Sequence, residues 1–238
     1  MALLQLLLQI HRSSQSKTPI IRFHGREVEV PLPAGVAPLS GWLDVTRCMP
    51  SIISNAQYDY LPPPPSKDFI KHFPKCPIWP TDPPRGDLYC ETSMLCHPLV
   101  SPMAAKDWKG TCPVYFVYGT EQLLDEGKVV AQRIAQQGGN IIWEEYDAMP
   151  HVFPMLLEHL RSSKLCLDSW AQFMKDAVAG KQIETKGTFF EAKTYKEIKV
   201  DVTKLDSFSE ADVESKMKEA RSMRDHGEEG ETKLLPRL

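Results

Sequence analysis

Three observations predict an α/β fold, a mostly parallel sheet flanked by helices. Residues 113–118 form a short, continuous apolar run rich in β-branched and aromatic side chains, the pattern of a strand buried on both faces of a parallel sheet, and residues 140–146 read as the next strand. Between them lies an acidic loop and then a helical pattern from Glu126 to Gln137, so the order is strand, helix, strand. Each strand ends in a loop bearing titratable groups: Glu121 and Asp125 after the first, His151 after the second. In open α/β sheets ligands and catalytic groups gather beyond the carboxyl ends of the strands.

At 238 residues and 27.0 kDa the chain is long enough for one sizeable core or one domain with an appendage. Hydrophobic residues make up 42% and charged residues 25%, which excludes a disordered chain. A formal net charge of −3, with no basic stripe interleaved with aromatics, argues against a nucleic-acid partner. The six cysteines, Cys48, Cys76, Cys90, Cys96, Cys112 and Cys166, show neither CxxC pairs nor zinc-ligand spacing. They read as reduced, packed thiols of a cytoplasmic protein, with no metal and no cofactor expected.

In chain order, the run MALLQLLLQI is too short to span a bilayer, which takes roughly twenty apolar residues, and it lacks the basic start and cleavage site of a signal peptide. It predicts a buried helix packed on several sides, and no transmembrane span is expected elsewhere. Residues 15–33 are a polar, proline-bounded excursion. Residues 35–45 follow as a short strand pattern with Trp42 and Asp44 at its end. The tetraproline Pro62 to Pro65 cannot be helix or central strand. With its proline-rich surroundings it marks an irregular insertion over residues 51–107, helical in places such as residues 86–96. Such long loops act either as lids or as packing excursions. Residues 155–178 carry apolar side chains at helical spacing (Leu156, Leu160, Leu167, Trp170, Phe173, Met174), a closing helix. From Lys181 the composition turns charged, with weak alternation over residues 189–202 and a helical pattern over residues 210–225. Residues 181–238 therefore read as a charged tail, partly helical or disordered.

The segments PLSGWLDVT (residues 38–46), CHPLVSPMAAKDWKG (residues 96–110) and PVYFVYGTEQLLDEGKVVAQRIAQQGGNIIWEEYDAMPHVF (residues 113–153) resemble, in order and spacing, the C-terminal half of the hormone-sensitive-lipase-like α/β hydrolases. Fungal members look most similar. The resemblance covers residues 1–180 as a partial α/β-hydrolase domain with a lid-like insertion at 51–107; the tail at 181–238 lies outside it. It implies a carboxylic-ester hydrolase, acetyl esters included, with a place in secondary metabolism and a small hydrophobic ester or acyl substrate. His151 takes the place of the family's catalytic base. Glu121 takes that of its acid, where the family more usually has Asp, and Asp125 is the runner-up for that role. Either carboxylate can hold an imidazole in the productive tautomer. Asp125 also suits a helix N-cap.

The family's nucleophile is a serine in a G-x-S-x-G elbow, and its oxyanion hole uses a glycine-rich loop of HGGG type. The 238 residues contain neither. Ser40 lacks flanking glycines, and His24-Gly25 is followed by Arg26 and Glu27. The first residues resemble the helix that follows the elbow, so the resemblance implies a chain that begins just past its active serine. The alternative expectation is a catalytically inactive pseudoenzyme, or a protein that binds a ligand or partner.

Overall fold

The computed structural model describes residues 1–14, 18–62 and 89–225. His72, Cys76, most of the tetraproline, residues 86–88 and the end of the tail lie outside them. The centre of the molecule is strand β3 (Val114–Gly119), every residue of which is buried. It pairs in parallel with β4 (Ile141–Tyr146) through helix α3 (Leu124–Gln136), close to the expected bounds. Side chains alternate across β3. Val114, Phe116 and Tyr118 enter one core cluster with Trp143 and helix α3, while Tyr115 and Val117 enter the other with Tyr146, Phe153 and Phe173. A strand apolar on both faces needs a layer on each side, and the two clusters are those layers.

The strand expected at residues 35–45 forms two parallel bridges to β3, Val36 to Val114 and Leu39 to Val117, and ends at Ser40, whose amide donates to the Val117 carbonyl at 2.9 Å. Before it, α1 (Ala2–Ser13) buries Leu4, Gln5 and Leu8 but exposes Leu3 (67%) and Leu6. That helix has one covered face among the described residues, fewer than its apolar circumference predicts. The polar excursion holds an antiparallel hairpin of β1 (Ile20–Phe23) and β2 (Arg26–Glu29), exposed throughout.

The insertion differs from its expected form. Its described parts contain a one-turn helix α2 (Ser51–Ser54) and 3-10 turns at Ala56–Tyr58, Thr92–Met94 and Pro102–Ala104, with no longer helix over residues 89–96. Leu95 and Met103 are fully buried, as is Trp108 just beyond, so this stretch supplies core as well as surface. The closing helix is divided into α4 (Phe153–Leu156) and α5 (Arg161–Val178). Leu160 is extended (ψ 149°), and the Ser163 hydroxyl donates to the Leu157 carbonyl at 2.7 Å, occupying an acceptor that a continuous helix would use. Consequently Met155, Leu156 and Met174 are exposed, and the buried face of α5 is Ser162, Ser163, Cys166, Phe173 and Ala177.

The charged segment after Lys181 is part of the sheet. Strand β5 (Lys186–Phe190) pairs in parallel with β4, and β6 (Glu197–Val200) pairs antiparallel with β5, giving the order β3-β4-β5-β6. Helix α6 (Glu210–Asp225) falls where its pattern predicts and buries Val213 and Met217 in the larger core. The strands β5 and β6 do not stand out in the charged segment because few of their residues are buried, too few to outweigh the surrounding lysines and carboxylates in a composition count. Buried Arg133 fastens α6: its guanidinium donates twice to the Glu210 carboxylate and once each to the Met103 and Ala105 carbonyls, all at 2.7 Å.

Candidate active site

Strands β3 and β4 end side by side, with Gly119 opposite Tyr146, and their following loops carry Glu121 and His151. The approach of the two loops depends on Gly119. A methyl group there would stand 1.9 Å from the Met149 carbonyl oxygen, so the β4 loop crosses directly over the end of β3 in space that only glycine leaves open. The Thr120 amide donates to the Tyr146 carbonyl at 3.1 Å, and the Thr120 hydroxyl accepts from the Ala148 amide at 3.0 Å. Ala148 (φ 57°) and Val152 (φ 45°) both adopt the left-handed backbone region, unfavourable for residues other than glycine, so the loop around His151 is held rather than relaxed.

The result is a direct contact. His151 Nδ1 lies 3.0 Å from Glu121 Oε1, with the carboxylate fully buried and the imidazole 18% exposed. The other carboxylate oxygen, Oε2, accepts from the Ser40 hydroxyl at 2.7 Å and from the Gly119 amide at 3.3 Å. Burial raises the Glu121 carboxyl above its ordinary range, opposed by the hydrogen bonds and charge of His151 and then by Ser40 and Gly119. With its proton on Nδ1, the imidazole donates to Glu121 and presents an unprotonated Nε2. Among the described residues no hydroxyl or thiol is hydrogen-bonded to Nε2.

Asp125 is placed elsewhere. It sits in the first turn of α3, where its carboxylate accepts from the Ser51 amide at 2.8 Å, and the position before the helix is Leu123, so Asp125 is neither the partner of His151 nor the N-cap. Ser40 donates to Glu121 and accepts from the Val152 amide at 3.0 Å, on the carboxylate side of the pair and away from Nε2. Burial raises the thiols of Cys48, Cys96, Cys112 and Cys166, which leaves them poor nucleophiles. No disulfide joins the described cysteines, and no group of three or more metal-binding side chains is found among the described residues. No helix among them is long and apolar enough to cross a membrane.

Sequence reasoning missed three contributors. In the sequence Ser40 bears only on the question of the nucleophile, and no motif there singles out Gly119 or Asp59. Asp59 accepts from the Gln122 amide at 2.8 Å and from the His151 amide at 3.3 Å. The Tyr60 ring stands beside the imidazole, with centroids 6.2 Å apart. Glycine at a strand end just before the acidic loop was a readable signal; the roles of Ser40 and Asp59 rest on contacts 81 and 92 residues apart in the chain.

A family model described as the alpha/beta hydrolase fold matches residues 62–155. No curated protein matches the chain significantly. Among solved structures, EstE5 soaked by ethyl alcohol is similar with a TM-score of 0.53 at 23% identity, covering 75% of this chain and 50% of that one. EstE5 soaked by p-nitrophenyl butyrate gives 0.50 at 22% identity over the same shares. An esterase/lipase from an uncultured bacterium is 24% identical over 63% of this chain and 45% of its own, with a TM-score of 0.48. The chain thus spans about half the length of the solved structures it matches. It carries the α/β-hydrolase fold, a mixed, mostly parallel four-stranded sheet flanked by helices, with the contact between Glu121 and His151 at the C-terminal ends of β3 and β4.

Proposed function

We propose that Glu121 and His151 are the orienting acid and the general base of a serine-dependent carboxylic-ester hydrolase. The observation that carries this reading is the 3.0 Å contact between a fully buried carboxylate and Nδ1 of a part-exposed imidazole whose Nε2 is left for another group. A serine hydroxyl at Nε2 attacks the ester carbonyl as its proton passes to His151. The buried carboxylate of Glu121 stabilises the imidazolium, which then protonates the departing alkoxide. Water next attacks the acyl-serine, giving its proton to Nε2, which passes it to the departing serine oxygen as the acid product is released. Ser40 and Gly119 hold Oε2, which fixes Oε1 toward the ring.

The serine and the oxyanion donors are supplied by polypeptide outside these 238 residues, because the sequence holds no G-x-S-x-G elbow and no HGGG-type loop. The described parts of the insertion, residues 51–62 and 89–107, border the pocket for a small hydrophobic acyl or alcohol group, acetyl esters among them. The fungal-type, C-terminal-half and secondary-metabolism reading rests on the resemblance of residues 38–46, 96–110 and 113–153, and the cytoplasmic reading on the unpaired spacing of the cysteines.

The missing elbow also favours a second reading, a ligand- or partner-binding protein that keeps the pair without the chemistry. Hydrolysis of p-nitrophenyl butyrate separates them. A longer polypeptide from the same gene bearing the elbow should turn over the ester, and His151→Ala should lower kcat by roughly 10⁴-fold or more. Turnover indifferent to His151, or no elbow in any longer product of the gene, defeats the hydrolase reading and leaves the binding protein.

A further inference from the structure

The acid and base loops leave different strands, so something beyond the strand ladder must hold them in register. The residue placed to do so is Asp59. Its Oδ2 accepts from the Gln122 amide, next to the acid, at 2.8 Å, and its Oδ1 accepts from the amide of the base itself, His151, at 3.3 Å. Oδ1 also accepts from the Tyr60 amide at 2.8 Å and the Leu61 amide at 3.3 Å, so four backbone donors converge on one carboxylate. We infer that Asp59 is a positioning residue that locks the His151 loop to the Glu121 loop. This inference rests on the proposed roles of that pair.

The segment bearing Asp59 is itself pinned to the acid loop from both ends. At one end, the Ser51 amide donates to Asp125 at 2.8 Å, the Ser51 hydroxyl donates to the Gln122 carbonyl at 2.7 Å, and the Asp125 amide returns a bond to the Ser51 hydroxyl at 3.1 Å. Further along, the Asn55 side-chain amide donates to the carbonyl of Glu121 at 3.0 Å, and that of Gln122 donates to the Leu61 carbonyl at 2.6 Å. Residues 51–61 are therefore a fixed bracket on the acid loop, and Asp59 extends that bracket to the base.

The base loop needs such a hold. The left-handed backbones of Ala148 and Val152 flank His151, and each such residue stores strain that the surroundings must oppose. Two side-chain acceptors grip the loop at its tip: Ser40 takes the Val152 amide, and Asp59 takes the His151 amide. Ser40 also binds Glu121, so removing it would disturb the acid directly. Asp59 makes no hydrogen bond to the Glu121 carboxylate or to the imidazole among the described residues, and it acts through the backbone alone. The bracket also sets the half-exposed Tyr60 ring beside the imidazole, with the ring centroids 6.2 Å apart.

The test uses the 238-residue chain and two readouts that do not require turnover. One is the downfield proton resonance of His151 Nδ1–H, the signature of a charge-assisted bond to Glu121; the other is hydrogen exchange at the His151 and Gln122 amides. Asp59→Ala should accelerate both amides by roughly tenfold or more, the scale expected when a bond to a charged acceptor is lost. It should also shift or broaden the Nδ1–H resonance, leaving the amides of Phe116 and Trp143 unchanged. Asp59→Asn, with one acceptor oxygen in place of two, should show an intermediate effect, and it decides the question if the alanine variant does not fold. An unmoved resonance, or acceleration spread evenly over β3 and β4, overturns the inference. If the unsubstituted chain lacks the resonance, the acid–base pair itself fails, while exchange at the two amides still decides the claim about Asp59.

Discussion

Replacing Gly119 by alanine strikes the contact that brings the two loops together. The new Cβ would lie 1.9 Å from the Met149 carbonyl oxygen, 2.6 Å from its carbonyl carbon and 3.1 Å from its Cβ. A carbon–oxygen contact relaxes at about 3.3 Å, so the β4 loop must retreat by roughly 1.4 Å. His151 Nδ1 is 3.0 Å from Glu121 Oε1, and a retreat of that size in the loop carries it past hydrogen-bonding distance. Overpacking typically costs about 1–3 kcal/mol, and losing a bond to a charged partner costs about 1.5–3 kcal/mol. Gly119→Ala should therefore destabilise the fold by about 3–5 kcal/mol, read as a lowered urea midpoint, and should abolish the His151 Nδ1–H resonance. Gly110→Ala is the comparator: Gly110 has φ +75° but nothing within 4 Å of its added methyl, and its cost should be about 1 kcal/mol, the backbone strain alone. If Gly119→Ala costs less than about 0.5 kcal/mol and keeps the resonance, the packing account of the site is wrong.

Three further outcomes follow from the buried polar groups. Burial, and then the nearby Asp44, push the Glu126 carboxyl well above its ordinary range, while its Oε1 accepts from the Leu43 and Asp44 amides. A raised carboxyl contributes stability that is full below its unfolded value of 4.5 and is lost as pH rises through the folded value. Glu126→Gln, which keeps an acceptor for both amides, should flatten that decline in urea titrations run from pH 4 to pH 9; an unchanged slope refutes it. Arg133→Met strands the buried Met103 carbonyl, leaves the Ala105 carbonyl with the Trp108 indole N–H alone and releases α6, so it should cost about 2–4 kcal/mol. Glu210→Ala, at a carboxylate 55% exposed, should cost only about 1 kcal/mol, and equal losses would show that the carbonyl contacts contribute little. Trp108→Ala, at a fully buried side chain just past the insertion, should cost about 3–5 kcal/mol by thermal or chemical denaturation; a loss below about 1 kcal/mol would contradict its reading as core.

What could be read from the sequence follows what is local. β3 was legible because both its faces are covered, so a continuous apolar run marks it, β4 because Ile141, Ile142 and Trp143 open it after a glycine turn, and α3 because its spacing is helical. The contact between Glu121 and His151 could be expected because their loops adjoin those strands. The division between α4 and α5 was hidden because it depends on a side-chain bond from Ser163 to the Leu157 carbonyl, which spacing alone does not show. β5 and β6 were hidden because they are short: β6 is mostly exposed and, among the described residues, pairs with β5 alone, so neither makes an apolar run long enough to stand out. Ser40 and Asp59 are ordinary polar residues in the sequence. They acquire meaning only when the fold brings residues 40, 59, 121 and 151 to one sheet edge.

The claim at the centre of this account is that Glu121 holds His151 with its proton on Nδ1 and its Nε2 lone pair available. Nitrogen-15 correlation spectra of the imidazole in the 238-residue chain, recorded at a pH where the ring is neutral, measure that tautomer directly. The account predicts a protonated Nδ1 and a bare Nε2, reversed or mixed in Glu121→Ala. A predominantly Nε2-protonated ring in the unsubstituted chain would contradict it.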